Sequence, residues 1–240
     1  MPTPRFFCPA PLRAHQRIEL PQPLAHHALR VLRLPDGAAA TLFDGEGGEY
    51  PAVLRAQGRS AWAELGARED VERELAGRLV LVQGIASGDK MDWVIEKAAE
   101  LGVAELMPVA AERSVLRLSG PRLDKRLAHW RSIVQSASEQ CGRNRLMRVH
   151  EPAPLGDCLA RLEGPALFCH PEGSRDFAQA LQSVRDSLAL LVGPEGGWSE
   201  DELAAARRRD LAAVRFGARV LRTETAGLAM AAAAAALLGW

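Results

Sequence analysis

The sequence predicts an α/β protein: an open parallel sheet covered by helices, preceded by a small β-rich domain. Two observations predict it. From about residue 75 onward, short apolar runs alternate with helix-length segments in which apolar residues recur every three or four positions. Before that point, short apolar runs are separated by turn sequences such as Pro35 to Gly37 and Asp44 to Gly48. We therefore expect a domain at 1–74 and a second at 75–240.

The elements of the second domain follow one another at the spacing of parallel strands joined by right-handed crossovers. Buried strands are predicted over 79–82, 105–109, 166–169, 188–192 and 214–216, and helices over 90–101 and 122–140. The first helix has apolar residues at Met91, Val94, Ile95, Ala98 and Leu101. The second places Leu123, Leu127, Trp130, Val134 and Ala137 on its inner face. In the first domain, a helical pattern is present around residues 24–34.

Composition excludes disordered and fibrous classes, because 240 residues with 48% hydrophobic side chains can bury a core. Thirty basic residues balance thirty acidic ones, so a nucleic-acid surface requires local segregation of charge. The four cysteines form no C-x-x-C pair, which argues against a zinc site and a disulfide framework. The N-terminus lacks a secretory signal, and the apolar stretch 227–240 is shorter than a membrane helix. We expect a cytoplasmic protein without a membrane segment.

Two loops after predicted strands carry unusual sequences, and ligands of open parallel sheets bind beyond the carboxyl ends of the strands. The first loop is Gly193-Pro-Glu-Gly-Gly-Trp198, followed by a capping box that opens a helix at Ser199. Its three glycines allow close backbone approach to a ligand, although an ordinary strand-to-helix turn explains them equally well. The chain contains neither G-x-x-x-x-G-K-[ST] nor G-x-G-x-x-G, which argues against nucleoside triphosphatases and dinucleotide enzymes.

The second loop, residues 216–227, leads into an alanine-rich helix. Thr223 or Thr225 is expected to cap that helix, with Glu224 at its positive N-terminal end. The positive charge of Arg222 is unfavourable beside the same positive helix end unless an anionic partner lies nearby.

Residues 113–148 form a basic segment. It has nine Lys and Arg residues against Asp124 and Glu139, a local charge of +7. Such runs are more often solvated faces than binding sites. Within it, Gly142 is expected to end a helix, so that Arg143, Asn144 and Arg145 point outward toward RNA phosphates and base edges.

Six motifs, in this order along the chain, resemble the ribosomal RNA small subunit methyltransferase E family. They are H-x-x-R-V-L-R at 27–33, D-W-V-I-E-K-A-A-E-L-G-V at 92–103, A-E-R-S at 111–114, E-Q-C-G-R-N at 139–144, G-P-E-G-G at 193–197 and R-V-L-R-T-E-T-A at 219–226. The resemblance covers nearly the whole chain. Trp198 after G-P-E-G-G and Ala110 before A-E-R-S are mild departures from the family pattern.

The resemblance implies a PUA-like β-barrel over 1–74 that binds RNA and a SPOUT-type domain over 75–240 with a C-terminal trefoil knot. It also implies a homodimer that binds S-adenosylmethionine (SAM) in the knot, uses no metal, and methylates N3 of a uridine in 16S rRNA of the small ribosomal subunit. The residues it implies for SAM are His170, Pro171, Leu191, Gly193, Pro194, Gly196, Gly197, Gly217, Val220, Leu221, Arg222, Thr223 and Thr225. Those it implies for RNA are Arg30, Arg33, Arg113, Arg143, Asn144 and Arg145.

Uridine N3 must lose its proton during methyl transfer, so a base or a stabilising cation is required. Arg222 is our candidate for stabilising the uracil anion, and Glu224 or Glu195 for accepting the proton. Two alternatives stay open at this point: a ribose 2′-O-methyltransferase of the same class, and an rRNA-binding assembly protein without enzymatic activity.

Overall fold

The computed structural model describes residues 3–58, 60–114, 119–211 and 213–240. The chain divides into two compact units, Met1–Glu74 with Ser138–Leu146, and Leu75–Ala137 with Met147–Trp240. The expected boundary near residue 75 therefore differs from the structure in one segment: residues 138–146 pack with the first unit.

The first unit contains a five-stranded sheet in the order β1-β3-β4-β5-β2. Its strands are β1 (Arg5–Phe7), β2 (Arg17–Glu19), β3 (Ala39–Phe43), β4 (Tyr50–Gln57) and β5 (Ser60–Leu65). Strands β1 and β3 pair in parallel, and the other neighbours are antiparallel. In β5, buried Ala61, Ala63 and Leu65 alternate with more exposed residues, as in a sheet with one face on the core. The helical pattern around 24–34 forms a short helix α1 (Gln22–His26), which continues as a π-helical turn over His27–Val31.

The second unit is built on a seven-stranded sheet in the order β10-β12-β9-β11-β6-β7-β8. Its strands are β6 (Arg78–Gly84), β7 (Glu105–Val109), β8 (Arg148–Val149), β9 (Ala166–Cys169), β10 (Arg175–Asp176), β11 (Ser187–Val192) and β12 (Ala213–Arg215). Every neighbouring pair is parallel, as the alternation of strands and helices predicts. The central strands β6 and β11 are buried along almost their whole length because both faces of the sheet are covered.

The helices of this unit are α2 (Lys90–Glu100), α3 (Gly120–Cys141, of which residues 138–141 belong to the first unit), α4 (Leu155–Arg161), α5 (Phe177–Ala180), α6 (Glu200–Arg208) and α7 (Thr223–Leu238). On the predicted inner face of α2, Met91, Val94, Ile95 and Ala98 are buried, whereas Leu101 is half-buried and follows the last residue of the helix. On α3, Leu127, Trp130, Val134 and Ala137 are also buried, whereas Leu123 is partly exposed.

Helix α7 lies very close to strand β6. A β-carbon built on Gly227 would stand 3.0 Å from Leu81 Cδ1 and 3.1 Å from Gln83 Oε1. The glycine therefore permits the approach that places the first turn of α7 at the carboxyl end of β6. Among the described residues, no helix is long and apolar enough to cross a membrane.

Candidate active site

The two unusual loops meet in the structure. Together with the loop after β9, they surround a cavity of about 500 Å³ at the carboxyl edge of the sheet, where ligands of such sheets bind. The cavity is lined by Lys90, Cys169, His170, Pro171, Glu172, Val192, Gly193, Pro194, Glu195, Gly197, Trp198, Val214, Phe216, Arg219, Val220, Leu221, Arg222, Thr223, Glu224, Ala226 and Met230.

The glycine loop after β11 is held by backbone contact and by the predicted capping box. A β-carbon on Gly84 would lie 2.4 Å from the Pro194 nitrogen, so the end of β6 and the loop touch directly. Ser199 accepts from the Glu202 N–H at 3.2 Å, and Glu202 accepts from the Ser199 N–H at 2.8 Å, which confirms the capping box. Gly197 has a φ of 70°, in the left-handed region that favours glycine, and a β-carbon there would meet open space.

Thr223 joins the two loops. Its hydroxyl donates to the Gly193 carbonyl at 2.5 Å and accepts from Gln83 Nε2 at 2.8 Å. The expectation that Thr223 or Thr225 caps α7 is wrong: the N-cap residue is Arg222, and it makes no side-chain capping bond. The Thr223 hydroxyl is used instead to bind the first turn of α7 to the glycine loop.

Arg222 is exposed at the start of α7, and its side chain lines the cavity. Because this guanidinium stands beside the positive end of the helix, an anion in the cavity is the partner that would make its position favourable. Glu224 lies in the first turn of the same helix, as expected.

Glu195 is a fixed anion of the glycine loop. Its Oε1 accepts from the Ser87 N–H at 3.0 Å, the Ser87 hydroxyl at 2.7 Å and Lys90 Nζ at 3.0 Å. Burial opposes ionisation, but the hydrogen bonds from Ser87 and Lys90 prevail and lower the pKa of Glu195 to about 2. A carboxylate that binds protons so weakly is a poor general base near neutral pH. Of the two candidate bases, Glu195 is therefore the less suitable.

His170 presents a defined tautomer to the cavity. Its Nδ1 accepts from the Glu172 N–H at 3.2 Å, so a neutral ring carries its proton on Nε2. Cys169 also lines the cavity, but burial raises the pKa of its thiol to about 12, which keeps it in the unreactive protonated form.

Most residues expected to bind the cofactor line this cavity, and four do not: Leu191, Gly196, Gly217 and Thr225. Leu191 is fully buried in β11, where its side chain belongs to the core. Gly196 faces Arg113 instead, since a β-carbon there would lie 2.9 Å from Arg113 Cβ. The sequence analysis did not identify Lys90, the first residue of the helix that follows β6, because its place at the cavity depends on β6 lying beside β11.

The expectation that Arg143 and Asn144 point outward is wrong. Arg143 is 3% exposed and donates to Glu74 from Nε at 3.0 Å and from Nη2 at 2.5 Å. Asn144 is fully buried; its amide donates to Glu49 at 3.0 Å and to the Val71 carbonyl at 2.7 Å. Buried polar groups must be hydrogen-bonded, and acidic residues of the first unit supply the partners that RNA was expected to supply.

The other residues expected to bind RNA are exposed: Arg30, Arg33, Arg113 and Arg145. Arg145 forms an ion pair with Glu72 at 3.3 Å. Arg33 has a φ of 51°, an unusual conformation for a residue with a side chain. Arg117, also part of the basic segment, lies outside the described residues. Within the part of the chain that the structure describes, no group of three or more His, Cys, Asp and Glu residues is arranged to hold a metal ion.

Two family models of RNA methyltransferases match most of the chain. A family model described as an RNA methyltransferase domain matches residues 73–235, and one described as an RNA methyltransferase PUA domain matches residues 20–65. Ribosomal RNA small subunit methyltransferase E of Bacillus subtilis is 30% identical over 213 residues, covering 85% of this chain and 83% of the relative.

Two solved structures are similar over nearly their full length. Ribosomal RNA small subunit methyltransferase E from Neisseria gonorrhoeae, bound to S-adenosyl methionine, is 36% identical with a TM-score of 0.88 and 98% coverage of both chains. A methyltransferase from Legionella pneumophila, in complex with SAM, is 31% identical with a TM-score of 0.90, covering 100% of this chain and 98% of that one. On these matches, the chain belongs to the ribosomal RNA small subunit methyltransferase E family.

Proposed function

We propose that this protein transfers a methyl group from SAM to N3 of a uridine in 16S rRNA of the small ribosomal subunit. The observation that carries the proposal is the meeting of the two motif loops, after β11 and after β12, around one cavity at the carboxyl edge of the sheet.

The residues present fit SAM. A volume of about 500 Å³ lies in the usual range for small-molecule sites. A β-carbon at Gly197 would meet no protein atom within 4 Å, so this glycine leaves room beside the loop. Backbone groups of Gly193, Pro194 and 220–223 would hold the adenine and methionine portions, with His170 and Pro171 as a further wall.

Bound SAM supplies a methyl group on a positively charged sulfur, which leaves as a neutral thioether. The methyl carbon forms a bond to uracil N3 as its bond to sulfur breaks, and the N3 proton must go to an acceptor. We assign that acceptor to the carboxylate of Glu224, which becomes a carboxylic acid and then returns the proton to solvent. Arg222, exposed at the rim, would stabilise negative charge that develops on the uracil oxygens.

The N3 atom is engaged in pairing inside a duplex, so the target uridine must be single-stranded or flipped out. Exposed Arg30 and Arg33 in the first unit and Arg113 in the second are the basic side chains that we assign to rRNA backbone contacts. The proposal also includes the remaining properties that the family resemblance implies: a trefoil knot around the cofactor, a homodimer and action in the cytoplasm.

Two measurements test the proposal. Calorimetry with SAM should give one binding isotherm, and 30S subunits lacking the modification should yield N3-methyluridine when incubated with protein and SAM. A 2′-O-methylated nucleoside would reassign the chemistry to the ribose, and no binding at millimolar SAM would favour a non-enzymatic rRNA-binding protein. Comparison of 30S subunits with naked 16S rRNA identifies the form that the enzyme accepts.

A further inference from the structure

Lys90 places one ammonium group between the two carboxylates of the cavity. It is the first residue of α2, and its Nζ lies 3.0 Å from Glu195 Oε1 and 3.9 Å from Glu224 Oε2. Three separate elements therefore meet at this nitrogen: helix α2, the glycine loop and the first turn of α7.

The two carboxylates differ in what else they contact. Glu195 accepts two further hydrogen bonds from Ser87, so its charge is satisfied without Lys90. Glu224 Oε2 is buried and has no hydrogen-bond donor among the described residues. A buried carboxylate oxygen without a donor favours the protonated acid unless a nearby cation stabilises the charge. At 3.9 Å, Lys90 is beyond hydrogen-bond distance but close enough to act through its charge.

Other charged or titratable groups line the same cavity: Arg219 and Arg222 from the loop before α7, Glu195 from the glycine loop, and His170 and Glu172 from the loop after β9. Both arginines are exposed, so solvent screens their charge more strongly than that of the half-buried Lys90. Among the ion pairs of the described residues, the one that includes Glu224 is with Lys90.

We infer that Lys90 is a positioning residue that keeps Glu224 ionised, and therefore able to accept the substrate proton. This inference rests on the proposed function, in which Glu224 receives the N3 proton. Lys90 itself need not touch either substrate.

The test is the pH dependence of methyl transfer to 30S subunits under single-turnover conditions, with saturating radiolabelled SAM. Lys90→Gln should move the acid limb of the rate upward by about one pH unit, because loss of a neighbouring opposite charge shifts a carboxylate by one to three units. On that limb the rate should fall roughly tenfold. Lys90→Arg keeps the charge and should restore the limb to within a few tenths of a unit.

Lys97→Gln is the matched control. It removes the same charge from the same helix, where Lys97 pairs with Glu96 and Glu100 rather than with cavity residues. We expect its pH profile and SAM affinity to equal those of the wild type.

The outcomes distinguish a failure of the proposed function from a failure of the role of Lys90. If the wild type binds SAM but transfers no methyl group to 30S subunits, the proposed function fails, and the role of Lys90 fails with it. If the wild type is active and Lys90→Gln lowers the rate equally at all pH values, or leaves it unchanged, the proposed function stands and the role of Lys90 is refuted.

Discussion

Replacing Asn144 by alanine tests whether the E-Q-C-G-R-N motif serves RNA or the fold. In the structure this side chain is fully buried in the first unit, between the N-terminal strand and the segment before residue 75. Its amide donates to Glu49 and to the Val71 carbonyl, and its oxygen accepts from Arg5 Nη2 at 2.5 Å. The substitution removes all three bonds; of their partners, Glu49 is buried, and Arg5 and Val71 are partly buried.

The expected loss can be worked out from these contacts. Hydrogen bonds to charged groups contribute roughly 1.5–3 kcal/mol each, and two of the three bonds have a charged partner. Glu49 keeps its bonds from Arg5 and Arg73, which limits the damage. We therefore expect Asn144→Ala to lower the free energy of unfolding by about 3 kcal/mol.

The assay is urea denaturation, followed by rRNA binding at several salt concentrations under conditions where the variant is folded. Arg145→Ala is the control from the same segment: its half-exposed ion pair with Glu72 should contribute less than about 1 kcal/mol. We expect lost stability with an unchanged salt slope of rRNA binding. A variant as stable as the wild type that binds rRNA more weakly would refute it and return Asn144 to the RNA interface.

Three further predictions concern the second unit. Arg222→Ala should lower the rate of methyl transfer roughly a hundredfold with little change in SAM affinity, because it removes a cation that stabilises the negative charge developing on uracil. Single-turnover rates and calorimetry measure the two quantities, and a wild-type rate would contradict the prediction. Glu195 has a pKa of about 2 against an ordinary value of 4.5, so its stabilising bonds to Ser87 and Lys90 are present above pH 4.5 and are lost as pH falls toward 2. Unfolding free energies should show the wild type losing about 3 kcal/mol more than Glu195→Gln across that window, and parallel curves would disprove the assignment. Arg113→Ala should weaken rRNA binding and reduce its salt slope by about 1 with SAM affinity unchanged, and an unaltered slope would place this arginine on an ordinary solvated face.

The parallel sheet was predictable because its signals are local. An apolar run of five residues, 188–192, predicts a buried strand, and the periodicity of Met91, Val94, Ile95 and Ala98 predicts a helix face, whatever the rest of the chain does. Short strands were not predictable in the same way. Strands β8 (Arg148–Val149) and β10 (Arg175–Asp176) have two residues each, carry a charged residue at the first position, and exist because a parallel neighbour supplies their hydrogen bonds.

The cavity was predictable for a topological reason. Loops that follow parallel strands emerge at one edge, so the sequences after Cys169, Val192 and Phe216 had to come close together if the strands were adjacent. The contribution of Lys90 to the same cavity required knowledge of which strand lies beside β11. The sheet order, in which β6 occupies that place, is a long-range property that periodicity does not encode.

The error at Arg143 and Asn144 has a physical cause that applies beyond this motif. A local excess of positive charge predicts a phosphate-binding surface, yet Glu74, the partner of Arg143, lies 69 residues earlier in the chain. In a protein with thirty acidic and thirty basic residues, each arginine has potential partners within the fold. Burial distinguishes an arginine that pairs within the fold from one that can bind RNA. An arginine buried with a carboxylate already has its partner, whereas an exposed one, such as Arg113, can still bind RNA phosphate. The two carboxylates at the cavity differ in the same way, because Glu195 is satisfied by Ser87, while Glu224 retains a buried oxygen that has no donor among the described residues.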